Sequence, residues 1–374
     1  MKKVVHVITD TNIGGAGMLL LNFLRRANHS AFEYIVLTPE RSALTPRIEA
    51  LGVQVLETPG IGERSLSLSS IGRFRRVFRS LRPDIVHTHA ALSARAAARL
   101  CGKCQIVHTR HCAFDLPARQ KKFPLRQIMG SVNNVLSDHI IAISPAAEEN
   151  LVDTGVNPEK ISVLFNGVEQ SPFLEDQAKK EIRRQYGVGD NEFVCAIIAR
   201  LEEYKGQRVV LEAAGLLREY PIRFLIAGEG TDEAYLKNRA EELRLNSIVF
   251  TGFVNDIYKI ENIMDLQINA SFGSETSSLS LLEGMSLGAA AVASDFGGNP
   301  YLILHGENGL IFEKKNARAL ADAVLSLYID QAALHSMGEQ ASQIYQRRFT
   351  ASIMAKSTEA VYERLLKSSK IKSS

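Results

Sequence analysis

Cysteine is scarce in this chain, with four in 374 residues. That is too few for a disulfide framework at this length and points to a reducing, cytoplasmic setting. No apolar run reaches the ~18 residues that a membrane span requires. The opening stretch, MKKVVHVITDTNIGG, is too short and too interrupted for a secretory leader and reads as a strand running into a glycine loop. Gly-rich RNA-reading strands, zinc fingers and helix-turn-helix signals are missing, so nucleic acid is not an expected partner. An Asp-x-Asp triplet is missing too. With 45% hydrophobic residues, a chain this long has enough apolar surface for two domains, each with a full core.

The formal net charge is only +3, but it is unevenly spread. Between Arg64 and Gly130 there are 14 Lys and Arg against Asp84 and Asp115 alone. Residues 1–170 hold 21 basic and 14 acidic groups, and the remainder 23 and 27. So concentrated an excess suggests an anionic membrane surface or an acidic acceptor. Two segments in it, Arg73–Arg79 and Arg119–Arg126, interleave aromatic and aliphatic groups with the cations, as a surface touching anionic headgroups would.

Strand and helix patterns alternate throughout. Strands are expected at Lys3–Thr9, Glu33–Thr38, Val53–Glu57, Asp84–Thr88, Gln105–Thr109 and His139–Ser144. Helices are expected at Met18–Arg26, Thr45–Leu51, Leu68–Leu81, Leu92–Leu100, Leu125–Leu136 and Pro145–Thr154. A second series follows from Glu192, and the polar stretch Gln170–Lys180 reads as the interdomain linker. Such alternation predicts parallel, doubly wound sheets that bind ligands beyond the carboxyl ends of their strands. Gly14, Gly15, His87, His89 and His111 fall at such ends.

Two cofactor readings are disfavoured by their details. In Asp10–Gly17 the glycines resemble a dinucleotide loop, but Leu20 stands where the third glycine belongs and no acid closes the second strand. Cys101, Cys104, His108, His111 and Cys112 resemble metal-ligand spacing. In the simpler account Gly102 caps the preceding helix and Cys104 enters the next strand, so no metal is expected.

The most informative stretch is Ser271–Pro300, SFGSETSSLSLLEGMSLGAAAVASDFGGNP. A helix starting near Ser277 or Ser278 puts Glu283 roughly 8 Å along its axis at ~1.5 Å per residue. The leading amides, those of Ser278, Leu279 and Ser280, suit a phosphate. A diphosphate there leaves Glu275 near one flanking group and Glu283 near the other, which suits a sugar at Glu275 and a ribose at Glu283. Alone, two carboxylates eight positions apart are equally compatible with an ordinary helix. The flanking Gly288, the strand Ala289–Ala293 and the Ser294–Gly298 loop complete a pattern that resembles the retaining nucleotide-sugar glycosyltransferases of the GT-B fold, most closely glycosyltransferase family four. The resemblance covers nearly the whole chain.

That resemblance implies an α/β protein of two Rossmann-like domains facing across a cleft. Residues 1–169, ending in the Asn166-Gly167-Val168 segment, would form the acceptor side and 170–350 the nucleotide-sugar domain. A helix in 351–374 would cross back, its tail fraying from Lys367. Arg200 and Lys205 would grip the donor diphosphate, Glu275 the sugar, Glu283 the ribose, and Ser278 and Leu279 the phosphate. Gly228 and Phe253 would border the nucleoside. Gly14, Gly15 and His111 would complete the site, with His87 and His89 lining the acceptor side. No cofactor is expected: without an Asp-x-Asp triplet the cations would take the role of a metal. The implied reaction is transfer of a sugar, from a UDP-sugar by preference, to a lipid-linked or polysaccharide acceptor of envelope glycan assembly. The implied location is cytoplasmic, peripheral on the inner face of the plasma membrane through residues 64–130. A nucleotide-sugar 2-epimerase of the same fold and a non-catalytic sugar-nucleotide-binding module are the alternatives. The chain departs from the family pattern at Thr276-Ser277 and at Tyr301.

Overall fold

A computed structural model describes residues 1–62, 66–113 and 116–371. Arg64 and Asp115 of the basic stretch, and residues 372–374 of the tail, lie outside the described residues. The chain divides into two compact units, Met1–Gly167 with Ala351–Ser374, and Val168–Thr350.

The first unit is built on seven strands: β1 (Lys2–Ile8), β2 (Phe32–Pro39), β3 (Gln54–Thr58), β4 (Ile85–His89), β5 (Gln105–Arg110), β6 (His139–Ala142) and β7 (Ile161–Val163). They lie in the order β3-β2-β1-β4-β5-β6-β7, all parallel. Its helices are α1 (Gly15–Arg26), α2 (Thr45–Glu49), α3 (Leu68–Leu81), α4 (Leu92–Cys101), α5 (Leu125–Leu136) and α6 (Pro145–Asp153). The second unit contains α7 (Asp176–Gln185), β8 (Phe193–Ile198), α8 (Gln207–Leu216), β9 (Ile222–Ala227), α9 (Glu233–Glu242), β10 (Ile248–Gly252) and α10 (Tyr258–Ile263). It continues with β11 (Leu266–Asn269), α11 (Leu279–Ser286), β12 (Ala291–Ser294), α12 (Asn299–Leu302), β13 (Gly309–Phe312), α13 (Ala317–Ile329) and α14 (Gln331–Arg348). Its strands run in the order β10-β9-β8-β11-β12-β13, again all parallel. The last helix, α15 (Ala351–Ile371), returns to the first unit, where Met354, Ala355, Tyr362 and Leu365 join the core around β1 and α1.

Near-continuous apolar strands covered on both faces account for this architecture. In each sheet the strand order reverses once, between β1 and β4 and between β8 and β11, and the crevice beyond such a reversal is where ligands bind. Two expectations need correction. The stretch from Gln170 is no open linker: Ser171 and Leu174 hydrogen-bond to Ser286 and Asn262 of the second unit, and α7 begins at Asp176. Helix α1 starts at Gly15, three residues before Met18, with Met18 N–H donating to the Gly14 carbonyl. Helix α15 is described as far as Ile371.

Gly130 of α5 packs on the turn after α6, where an added Cβ would sit 2.2 Å from the Gly155 carbonyl oxygen. Gly130→Ala must therefore displace backbone. The expected result is a melting temperature lower by about 5–10 °C, measured by circular dichroism.

Candidate functional site

In the second unit, four loops beyond strand ends are joined by backbone packing that leaves no room for side chains. After β8 the chain turns through Arg200 and a short 3-10 segment, Glu203–Lys205, into Gly206 at φ 79°. A Cβ on Gly206 would sit 2.0 Å from the Ala270 carbonyl oxygen beyond β11, and Phe272 N–H donates to the Tyr204 carbonyl at 2.8 Å. On the other side, Gly297 and Gly298 lie against the carbonyls of Glu275 and Thr276. Thr276-Ser277 is buried beneath that glycine pair, and Tyr301 N–H closes on the Gly298 carbonyl at 3.1 Å.

This packing brings Lys205 and Glu275 together. The Lys205 ammonium lies 2.9 Å from Glu275 Oε2 and also donates to the Ser274 carbonyl. Ser271 Oγ and Asn269 Nδ2 donate to the same oxygen at 3.0 and 3.3 Å. Behind them Asn299 and Ser294 extend the buried polar network to Asn269 and the Ser271 carbonyl. Arg200 stands exposed at the end of β8 and donates to the Tyr204 hydroxyl at 2.7 Å. Thus Lys205 is not a cation waiting alone for phosphate. It is one arm of an ion pair, with side-chain exposures of 16% and 9%.

Ser278 caps α11, its Oγ accepting from Leu281 N–H. The amides of Leu279 and Ser280 precede the first intrahelical bond, the arrangement that favours anions. Glu283 lies within α11, half-buried. Burial raises its pKa, and the nearby Glu261 carboxyl raises it further. Glu261 is itself buried, which pushes it up to about 7 against a hydrogen bond from Ser171 that acts the other way. Gly228, at φ 139°, packs on the Ala199 carbonyl, so close packing already requires glycine there. Phe253 is 65% exposed, and its amide donates to Glu229.

In the first unit, Gly14 and Gly15 differ from the other glycines of interest. Neither has positive φ, and an added Cβ on either would meet nothing within 4 Å. Neither the backbone nor the packing needs glycine at these positions. His111 follows β5 and lines a groove of about 480 Å³ with Arg95, Arg110, Ile128, Met129 and Val132. Burial lowers its pKa to about 4, helped by the Arg110 guanidinium. His87 and His89 do not line an open surface: both are buried, at hydrogen-bond distance from Tyr362 and His111 respectively. Among the described residues, the side chains that could hold a metal are His6, His87 and His89, and not the cysteines. Cys101 and Cys104 are partly buried, while Cys112 is exposed. Gly102 caps α4 in the left-handed conformation.

Comparison with known proteins gives the chain its class. Solved structures with the same two-unit architecture include HepE of Anabaena in complex with UDP and glucose, at a TM-score of 0.84 and 20% identity over 97% of this chain and all of that one. A glycosyltransferase from Rickettsia africae also has a TM-score of 0.84, at 19% identity over 98% and 99% of the two chains. The fold is that of the GT-B glycosyltransferases. Residues 13–171 match the family described as Glycosyltransferase Family 4, and residues 178–344 match Glycosyl transferases group 1. The chain belongs to glycosyltransferase family 4 and is a transferase enzyme. Relatives include an Escherichia coli UDP-Gal:alpha-D-GlcNAc-diphosphoundecaprenol alpha-1,3-galactosyltransferase, 25% identical over 88% of each chain. The N-acetyl-alpha-D-glucosaminyl L-malate synthase of Bacillus anthracis is 24% identical over 99% of each.

Removing one partner of a largely buried ion pair leaves the other charge uncompensated. Lys205→Met is expected to lower the unfolding free energy by roughly 3 kcal/mol, and adding Glu275→Gln should recover most of the loss in urea titrations. A second expectation concerns Glu261. Its raised pKa means the folded state holds more protons than the unfolded one between about pH 4.5 and 7, so this carboxyl's contribution falls as pH rises through that window. Melting curves from pH 5 to 8 should therefore decline less steeply in Glu261→Gln than in the parent protein.

Proposed function

We propose that this enzyme moves a sugar, with retention of configuration, from a UDP-sugar to a hydroxyl of a lipid-linked or polysaccharide acceptor. The observation that carries the donor side is the asymmetry of the Glu275 carboxylate. Oε2 is saturated by Lys205, Ser271 and Asn269, while Oε1 has no hydrogen bond among the described residues. An ionised, oriented carboxylate with one free oxygen beside a helix start can accept sugar hydroxyls. Lys205, with a third N–H to give, joins Arg200 and the Leu279 and Ser280 amides on the diphosphate. As the C1–O bond to the leaving diphosphate breaks, charge builds on its oxygens and these donors stabilise the transition state selectively. The acceptor oxygen bonds to C1 on the same face, and its proton passes to the departing phosphate. Glu283 takes the ribose, and Gly228 and Phe253 border the base. Because Gly14 and Gly15 are not needed by the fold, clearance for a ligand is the simplest reason for them. No metal enters this scheme.

On the acceptor side, the groove at His111 is walled by α5. Its outward residues Leu125, Ile128, Val132 and Val135, spaced three and four apart, are 40%, 55%, 39% and 61% exposed, and neighbouring Phe123 is 82% exposed. Arg119, Lys121, Lys122 and Arg126 flank this apolar stripe, a combination suited to an anionic bilayer carrying a lipid-linked acceptor. Within the Arg73–Arg79 segment of α3 the aromatic side chains turn away from such a surface. Phe74 and Phe78, one turn apart on its inner face, are buried and stacked at 5.9 Å. No helix among the described residues is long and apolar enough to cross a membrane.

UDP release on presentation of UDP-hexoses and diphosphoprenyl-linked sugars tests the proposal. Arg200→Ala and Lys205→Ala should each lower kcat by about 100-fold with a smaller loss of UDP binding, and EDTA should change neither. Unchanged turnover in Lys205→Ala overturns the assignment. Gly14→Val should keep the parental melting temperature while losing transfer. For the membrane surface, Ile128→Asp/Val135→Asp should abolish sedimentation with phosphatidylglycerol vesicles and leave UDP binding intact.

A further inference from the structure

Five buried or half-buried side chains and one threonine of the first unit form an unbroken hydrogen-bonded chain. Its links run from Thr109 Oγ1 to His87 Nε2 at 2.7 Å, from His87 Nδ1 to the Tyr362 hydroxyl at 2.5 Å, and from that hydroxyl to His6 Nε2 at 3.4 Å. They continue from His6 Nδ1 to His89 Nε2 at 3.2 Å and from His89 Nδ1 to His111 Nε2 at 2.9 Å. Both ring nitrogens of His6, His87 and His89 are engaged, so none directs a spare lone pair at a metal ion. All three are buried, and burial depresses their pKa values, keeping them neutral.

A neutral imidazole donates through one nitrogen and accepts through the other. The Tyr362 hydroxyl has His87 and His6 as its acceptors among the described residues, so it donates to one and accepts from the other, and hydrogens along the chain all point towards His111 or all away from it. The threonine end decides between these orders. If His87 donated to Thr109, the Thr109 hydroxyl hydrogen would need another acceptor, and among the described residues it has none. A buried donor without a partner is costly, whereas a hydroxyl with an unused lone pair is tolerated more readily. The order therefore runs from Thr109 through His87, Tyr362, His6 and His89 to His111, a tautomer assignment that follows from the network.

We propose that this chain fixes His111 as the neutral tautomer protonated on Nδ1, presenting an N–H donor to a substrate oxygen, with Thr109, His87, Tyr362, His6 and His89 as positioning residues. The role given to His111 rests on the proposed function. The tautomer does not, and it can be read without substrate.

Long-range proton–nitrogen NMR on the full chain labelled with ¹⁵N-histidine provides the test. At pH 7, His111 should show a protonated-type Nδ1 and an unprotonated-type Nε2. Thr109→Val keeps the shape but removes the donor that sets the order, and should move both His111 nitrogens towards averaged values. Tyr362→Phe, cutting the chain midway, should do the same and serves if the first variant does not fold. A parental His111 protonated on Nε2, or shifts unchanged in both folded variants, overturns the proposal. So does zinc added alone, if it displaces the His6, His87 and His89 signals at stoichiometric ratio. His111→Ala losing no transfer would overturn the catalytic reading while leaving the tautomer result standing.

Discussion

Exclusion of side-chain carbon from the loop crossings of the second unit is the constraint from which its site follows. Gly206 against Ala270, Gly228 against Ala199, and Gly297 and Gly298 against Glu275 and Thr276 set backbone against backbone. That closeness carries the end of β8 to the end of β11. Only then can a lysine and a glutamate 70 positions apart meet at 2.9 Å. The polar residues behind them, Asn269, Ser271, Ser294 and Asn299, are all buried and fix the carboxylate by hydrogen bonds whose donors are themselves held. A site built this way loses little order on binding, because its geometry is set by the scaffold before a ligand arrives.

The two units reach preorganisation by different means. In the second, an ion pair with several donors on one oxygen holds a charge in place. In the first, burial removes charge altogether, and order resides in the direction of hydrogen bonds between neutral rings. The coulombic site tolerates partial exposure; the neutral chain requires dryness, since water between His6 and His89 could serve as donor or acceptor and erase the direction.

Much of this was legible in the sequence because parallel strands buried on both faces leave apolar runs, and because the Ser271–Pro300 stretch holds its residues close together in the chain. The α3 and α5 bounds, and the Gly102 cap, follow from local pattern. What was not legible depended on distance or on facing. The polar composition around Asp176 hid α7, which buries only Ile182. Composition alone could not tell that Phe74 and Phe78 face inward while the arginines between them do not. The link between His6 and Tyr362 spans 356 positions, and no spacing rule reaches that far. Lys205 and Glu275 each stood out in the sequence, but not as partners of one another.

The position of α15 bears on how the protein is made. As the chain leaves the ribosome, residues Val168–Thr350 emerge as one continuous unit and can complete their own sheet during translation. The first unit must wait: its core lacks Met354, Ala355, Tyr362 and Leu365, and Tyr34 and the Asn28 amide lack Glu359, until α15 has been synthesised. Of the two units, the one begun first is thus completed after the other, with part of its apolar interior exposed throughout elongation of the second.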